Sequence, residues 1–157
     1  MIIVWHHKDL RVEDHPALSY AAHTGLPVLP LYLFDPDAEG KWAPGQASLW
    51  WLHHSLISLE QSYKKLGSKL VIAEGNTEKV LQKLIRETKA SEITWIERVE
   101  PKLIDRDRSL KKTLESQGIK VSTFLGNYLI DPSKIKTTTD KPYTVYTPFS
   151  KAAFDKA

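Results

Sequence analysis

Five short runs of apolar, β-branched and aromatic residues constrain this chain more than any other feature: Ile2 to Trp5, Val28 to Phe34, Leu70 to Ala73, Ile93 to Ile96 and Val121 to Leu125. Each is apolar almost without interruption, the pattern of strands buried on both faces. Between them lie segments with helical marks. Pro16 opens a helix at its first position, and that helix ends near Gly25. Leu49, Leu52, Leu56, Leu59, Tyr63 and Leu66 fall three or four apart, with Gly67 as the stop. Thr77 is placed to cap a helix striped by Val80, Leu81, Leu84 and Ile85, and Ile104 to Ser116 forms a fourth, closed by Gly118. The alternation of strand and helix predicts an α/β fold: a three-layer, Rossmann-like domain with a five-stranded parallel sheet and helices on both faces.

After Leu125 the pattern stops. Asp131-Pro132, the run Thr137-Thr138-Thr139, Lys141-Pro142 and Thr147-Pro148 read as a long connection, before Phe149 to Phe154 resumes a helix-forming composition. The expected organisation is an α/β domain over 1–130 and a connection leading onward over 131–157. A length of 157 residues suits one domain with its own core. With 41% apolar and 26% charged residues, the composition excludes a disordered, collagenous or membrane chain. Cysteine is absent, which removes disulfides, thiolate nucleophiles and Cys-ligated zinc, and makes the cytoplasm the default compartment. The apolar start reaches His6, His7 and Lys8 too soon for a secretory segment or a membrane span.

In an open parallel sheet, ligands bind outside the C-terminal ends of the strands, where strand order reverses. The loop after the first run, His6 to Pro16, is dense in charge. Lys8 and Arg11 there suit an anionic or polar ligand, with Asp9 or Asp14 orienting them; alternatively Asp9 and Arg11 pair with each other and tie the loop down. Metal binding is not expected. His53 and His54 are adjacent on a helix and diverge by roughly 100°, while His6 and His7 leave a strand end pointing to opposite faces. No glycine-rich dinucleotide fingerprint, P-loop or Gly-x-Ser-x-Gly elbow is present. The five tryptophans, Trp5, Trp42, Trp50, Trp51 and Trp95, are expected to serve packing, Trp42 being the least certain because it lies in a Gly/Pro-rich loop.

Five stretches, in order and with compatible spacing, carry a resemblance. Val4-Trp5-His6-His7-Lys8-Asp9-Leu10-Arg11, continuing through Asp14-His15-Pro16-Ala17-Leu18, resembles the opening motif of the DNA photolyase and cryptochrome family. Leu31 to Pro36 is similar to its second strand and Asp-Pro turn, and Ala47 to Leu56 with Leu66-Gly67-Ser68-Lys69-Leu70 resembles its Trp-Trp-Leu-His-His helix and the next strand entry. Glu100-Pro101 with Asp105-Arg106-Asp107, and Lys141-Pro142-Tyr143-Thr144-Val145-Tyr146-Thr147-Pro148-Phe149, complete the series.

The resemblance implies the N-terminal antenna and scaffold domain of a deoxyribodipyrimidine photolyase, a carbon-carbon lyase that uses blue light to repair pyrimidine dimers in UV-damaged DNA. FAD is then expected in the intact protein, on a C-terminal helical domain of which 131–157 holds the interdomain connection and the start, so this chain alone is expected to be inactive and no catalytic residue is assigned to it. An antenna pigment, a methenyltetrahydrofolate, a deazaflavin or FMN, is expected in the strand-end cleft. The candidates for its lining are His6, Lys8, Arg11, Phe34, Asp35, Glu100 and Asp105; Phe34 also suits the strand core and Asp105 a helix N-terminus. The sequence departs from the family pattern at His7 and Lys8, where paired arginines are usual, and at Leu49 and Ile96. Tyr143, Tyr146, Phe149 and Phe154 are expected to form an uncovered interdomain contact. Two other readings stay open: a cryptochrome-type light sensor, and a free-standing nucleotide-binding module of the universal-stress or electron-transfer-flavoprotein kind.

Overall fold

The structure is a computed structural model and describes residues 1–156. Two compact units divide it, Met1–Phe124 and Leu125–Ala157. The first alternates β1 (Ile2–His6), α1 (Pro16–His23), β2 (Val28–Phe34), α2 (Gln46–Lys65), β3 (Val71–Glu74), α3 (Thr77–Thr88), β4 (Glu92–Ile96), α4 (Pro101–Ser116) and β5 (Lys120–Phe124). The strands form one sheet in the order β3-β2-β1-β4-β5. Every pairing is parallel, with Trp5 opposite Leu31 on one side and Trp95 on the other. Strand order therefore reverses at β1, between its neighbours β2 and β4.

The period-2 alternation of β1 builds both cores. Ile3 and Trp5 face α3 and α4, packing with Leu81, Ile85, Leu110 and Leu114. Ile2 and Val4 face the opposite way, onto Ala21 of α1, and on that same side Tyr32 of β2 packs with Leu59 and Tyr63 of α2. β1 and β4 are buried throughout. β3 is not: at the sheet edge it alternates, leaving Ile72 exposed, so continuous apolarity overstated its burial.

Local signals explain the helix ends. Gly67, at φ +73°, follows α2, and its N–H donates to Lys64 O while Ser68 N–H donates to Tyr63 O, the paired bonds of a Schellman stop. Gly118 and Ile119 repeat that pairing after α4. The sequence started α4 at Ile104, but Pro101 holds the first helical position and extends it by a turn. The cap of α3 is Asn76 rather than Thr77, its side chain accepting from Lys79 N–H.

The second unit, described by itself, holds a 3₁₀ turn at Pro132–Lys134, an isolated bridge between Lys136 and Pro142, and α5 (Tyr146–Phe154). Tyr146 and Phe154 are exposed, whereas Tyr143 and Phe149 are half-buried and meet edge to face at 6.3 Å. No helix among the described residues is long and apolar enough to cross a membrane.

Candidate functional site

The chain leaves β1 with His6 and His7 on opposite faces, and the two histidines enter different environments. His6 turns toward α2. Its Nε2 lies 2.6 Å from the Tyr63 hydroxyl and its Nδ1 3.2 Å from the Asp9 carbonyl oxygen. Asp9 is also enclosed: one carboxylate oxygen accepts from the His7 backbone N–H at 3.0 Å and the other from His15 Nε2 at 2.7 Å. Burial pushes the Asp9 carboxyl up, but hydrogen bonds from His15 and His6 outweigh it and hold the group far below its ordinary range.

His6, Asp9 and His15 bring three potential metal-ligand atoms within 4.8 Å of one another. The protons argue against coordination. His15 Nδ1 accepts the Leu18 N–H at 3.1 Å, so its lone pair is there and Nε2 carries the hydrogen donated to Asp9. The trio is a hydrogen-bonded clamp that fixes the β1 loop and caps α1. The expected Asp9 to Arg11 pairing is replaced by it; the Arg11 guanidinium donates instead to the Asp14 carbonyl at 3.0 and 3.2 Å.

His7 turns the other way, to a cavity of about 1200 Å³ above the C-terminal ends of β1, β2 and β4. This is large for a small-molecule site. His7 lies in its floor beside Trp5, ring centroids 4.2 Å apart. Its Nδ1–H donates to the Ile96 carbonyl at 3.2 Å, across the point where strand order reverses. Burial and the nearby Arg98 charge lower its pKa to about 3, so the ring is neutral at physiological pH. Arg106 lies 5.4 Å from the Trp5 ring and pairs with Asp107 at 2.7 Å. It also donates to the Thr77 hydroxyl, which in turn donates to Asp35. Asp35 thereby ties the β2 exit to the start of α3: one oxygen takes the Thr77 N–H and hydroxyl, the other the Asp37 N–H.

Four charged groups from three loops join at the rim. Lys8 Nζ is 2.9 Å from Glu100 and 3.2 Å from Glu39, and Arg98 is 3.1 Å from Glu100 and 3.5 Å from Glu39. Burial opposes ionisation of Glu100, yet the hydrogen bonds from Arg98 and Lys8 hold its pKa at about 2. Burial alone would depress Lys8; the hydrogen bonds to Glu100 and Glu39 raise it instead. Each cation thus faces both carboxylates.

The walls are aromatic. Tyr32 and Phe34 from β2, Trp42 from the following loop and Trp51 from α2 all line the cavity. Trp42, Trp50 and Trp51 are 74%, 61% and 69% exposed, whereas Trp5 and Trp95 are core residues. Packing therefore accounts for two tryptophans and fails for three. Of the sequence candidates, Lys8, Arg11, Phe34 and Asp35 line the cavity. His6 does not, because strand alternation directs it to Tyr63. Nor does Asp105, which projects into solvent near Arg108, while its neighbour Arg106, about 100° further round the helix, faces the cavity. Glu100 belongs to the rim and to an adjoining groove of about 400 Å³. Sequence reasoning missed His7, Glu39, Arg98, Arg106 and Trp51. For Trp51 a signal existed: Trp50 and Trp51 are adjacent on a helix, so one face cannot bury both.

Known proteins match this chain in sequence and in fold. The family model described as DNA photolyase matches residues 2–157. A deoxyribodipyrimidine photo-lyase of Agrobacterium fabrum is 42% identical over 151 residues, 96% of this chain and 31% of that protein. Cryptochrome-2 of Arabidopsis thaliana is 39% identical over 154 residues, 98% of this chain and 25% of that protein. Among solved structures, a bacterial class III photolyase from Agrobacterium tumefaciens superposes with a TM-score of 0.90 at 41% identity, covering 99% of this chain and 32% of that one. The chain spans about a quarter to a third of the length of these relatives.

Proposed function

The chain belongs to the DNA photolyase family, and on that premise we propose that it is the antenna-chromophore and scaffold domain of a blue-light-driven photolyase acting on UV-damaged DNA. FAD and the lesion chemistry belong, in this reading, to parts of the protein outside these residues. The observation that carries the proposal is the strand-end cavity, with aromatic walls and a neutral imidazole in its floor. A planar heteroaromatic pigment, a folate, a deazaflavin or FMN, fits those walls by stacking, which uses a ring's large apolar faces without requiring a fixed charge. Trp51 and Phe34 would hold the ring. Lys8 and Arg11 stand where a carboxylate or phosphate tail would meet them. When bound, such a pigment absorbs light and transfers excitation energy to the flavin.

The test is titration of residues 1–157 with FMN, 5,10-methenyltetrahydrofolate and a deazaflavin, followed by tryptophan fluorescence. Saturable quenching by at least one is expected, and its absence with all three defeats the pigment reading. No photorepair is expected from this chain alone.

Identity of 39% to a plant cryptochrome keeps the sensor reading as the second. Blue-light repair of a dimer-containing oligonucleotide by the full-length protein separates the two. Repair favours the lyase, and flavin photoreduction without repair favours the sensor.

A further inference from the structure

Among the described residues, the ion pairs that join the loop between β2 and α2 to the cavity rim come from one of its side chains, Glu39. Ala38, Glu39, Trp42 and Pro44 of this loop line the cavity. Its first residue, Asp35, is anchored on Thr77. Beyond that the loop bonds chiefly to itself: Gly40 N–H to Asp37 O, Trp42 N–H to Glu39 O and Ala43 N–H to Gly40 O. Its ion pairs to the rest of the fold run through Glu39, to Lys8 at 3.2 Å on the β1 loop and to Arg98 at 3.5 Å on the β4 loop. Neither cation needs Glu39 to stay in place, because Glu100 holds both at 2.9 and 3.1 Å. The link is thus asymmetric: Glu100 braces the receiving side, while among the described residues the loop's ion pairs to that side run through Glu39.

The same segment separates two hollows. Glu39, Trp42 and Leu103 line both the main cavity and the adjoining groove of about 400 Å³. Trp42 is 74% exposed and so adds little burial to hold the loop down. Gly40, at φ +57°, gives the segment a turn in the left-handed region that a side chain rarely adopts.

We propose that residues 36–44 form a lid over the cavity, latched by Glu39 across Lys8 and Arg98, and that releasing this latch joins the cavity to the Glu100–Leu103 groove and admits ligand. The proposal deepens the pigment-site reading, on which its purpose rests, but its physical content concerns the loop alone. The latch contains charges at a partly wet rim, so salt weakens it.

The test is amide hydrogen exchange on residues 1–157 without ligand, comparing wild type, E39Q and K8M at low and high salt. In E39Q the amides of Gly40, Trp42 and Ala43 should exchange about fivefold faster, a factor in keeping with two rim ion pairs, while β1 and β4 amides keep wild-type protection. That internal reference separates unlatching from general unfolding. Salt should speed the same three amides in wild type and have less effect in E39Q. K8M, which leaves the Arg98 pair intact, should fall between them. Unchanged exchange of these amides in E39Q, or acceleration spread equally over β1 and β4, overturns the lid and leaves the pigment reading standing. Failure of every pigment to bind defeats that reading and leaves the latch standing.

Discussion

The two sides of the β1 exit use similar residue types for opposite ends. On the α2 side, His6, Asp9 and His15 are fully buried and their hydrogen bonds are matched donor to acceptor. On the cavity side, Lys8, Glu39, Arg98 and Glu100 are joined at the rim, with Lys8 65% exposed. A buried polar cluster that is fully satisfied fixes backbone, and breaking it strands uncompensated groups in a low-dielectric interior. A partly exposed rim of ion pairs contributes less to stability and leaves its members able to rearrange. The clamp therefore builds the loop, and the rim supplies the adaptable surface at which a ligand is met.

The largest expected effect is on the clamp. Asp9→Ala removes the acceptor for His15 and for the His7 N–H and should cost about 3–5 kcal/mol by denaturant unfolding; a loss under about 1 kcal/mol would erase the contrast between the two sides. The pH dependence follows from the sign of the shift. Asp9 is held far below the ordinary 3.8, so its contribution is full above that value and declines as pH falls below it. Asp9→Ala should accordingly flatten the acid limb of the stability profile. Next, Tyr63→Phe deletes the hydroxyl at His6 Nε2 and should cost about 1–2 kcal/mol in the same unfolding series. Glu100→Gln on the rim should cost less than about 1 kcal/mol, a difference that fades in 1 M salt. Smallest of all, Trp51→Ala should leave stability within about 0.5 kcal/mol while removing pigment-induced fluorescence quenching, because Trp51 is exposed at the cavity wall.

The legibility of these features in the sequence follows their range along the chain. β1, β2 and β4 were readable because each strand carries its own apolar run, and the ends of α2 and α4 because Gly67 and Gly118 carry their own punctuation. Family membership was legible in five motifs spread over the chain, and the family model matches residues 2–157. The site was legible only in part. Strand alternation makes His6 and His7 diverge, but nothing local says which face carries the cavity. Starting α4 three residues late left Asp105 at its N-terminus, whereas a helix from Pro101 carries Asp105 into solvent and Arg106 to the cavity. Glu39 and Arg98 meet only because their loops leave β2 and β4, the two neighbours of β1. No periodicity within either loop encodes that meeting.

Whether the open side of the β1 exit receives a ligand while the closed side only builds is read most directly from a ¹H–¹⁵N spectrum of the five tryptophan indoles and the clamp amides during titration with FMN. The Trp42 and Trp51 indole signals should move in step with occupancy while the Trp95 indole and the Leu18 amide, held by His15, stay still. Uniform shifts across all five indoles, or movement confined to Trp95 and the clamp, would contradict that division.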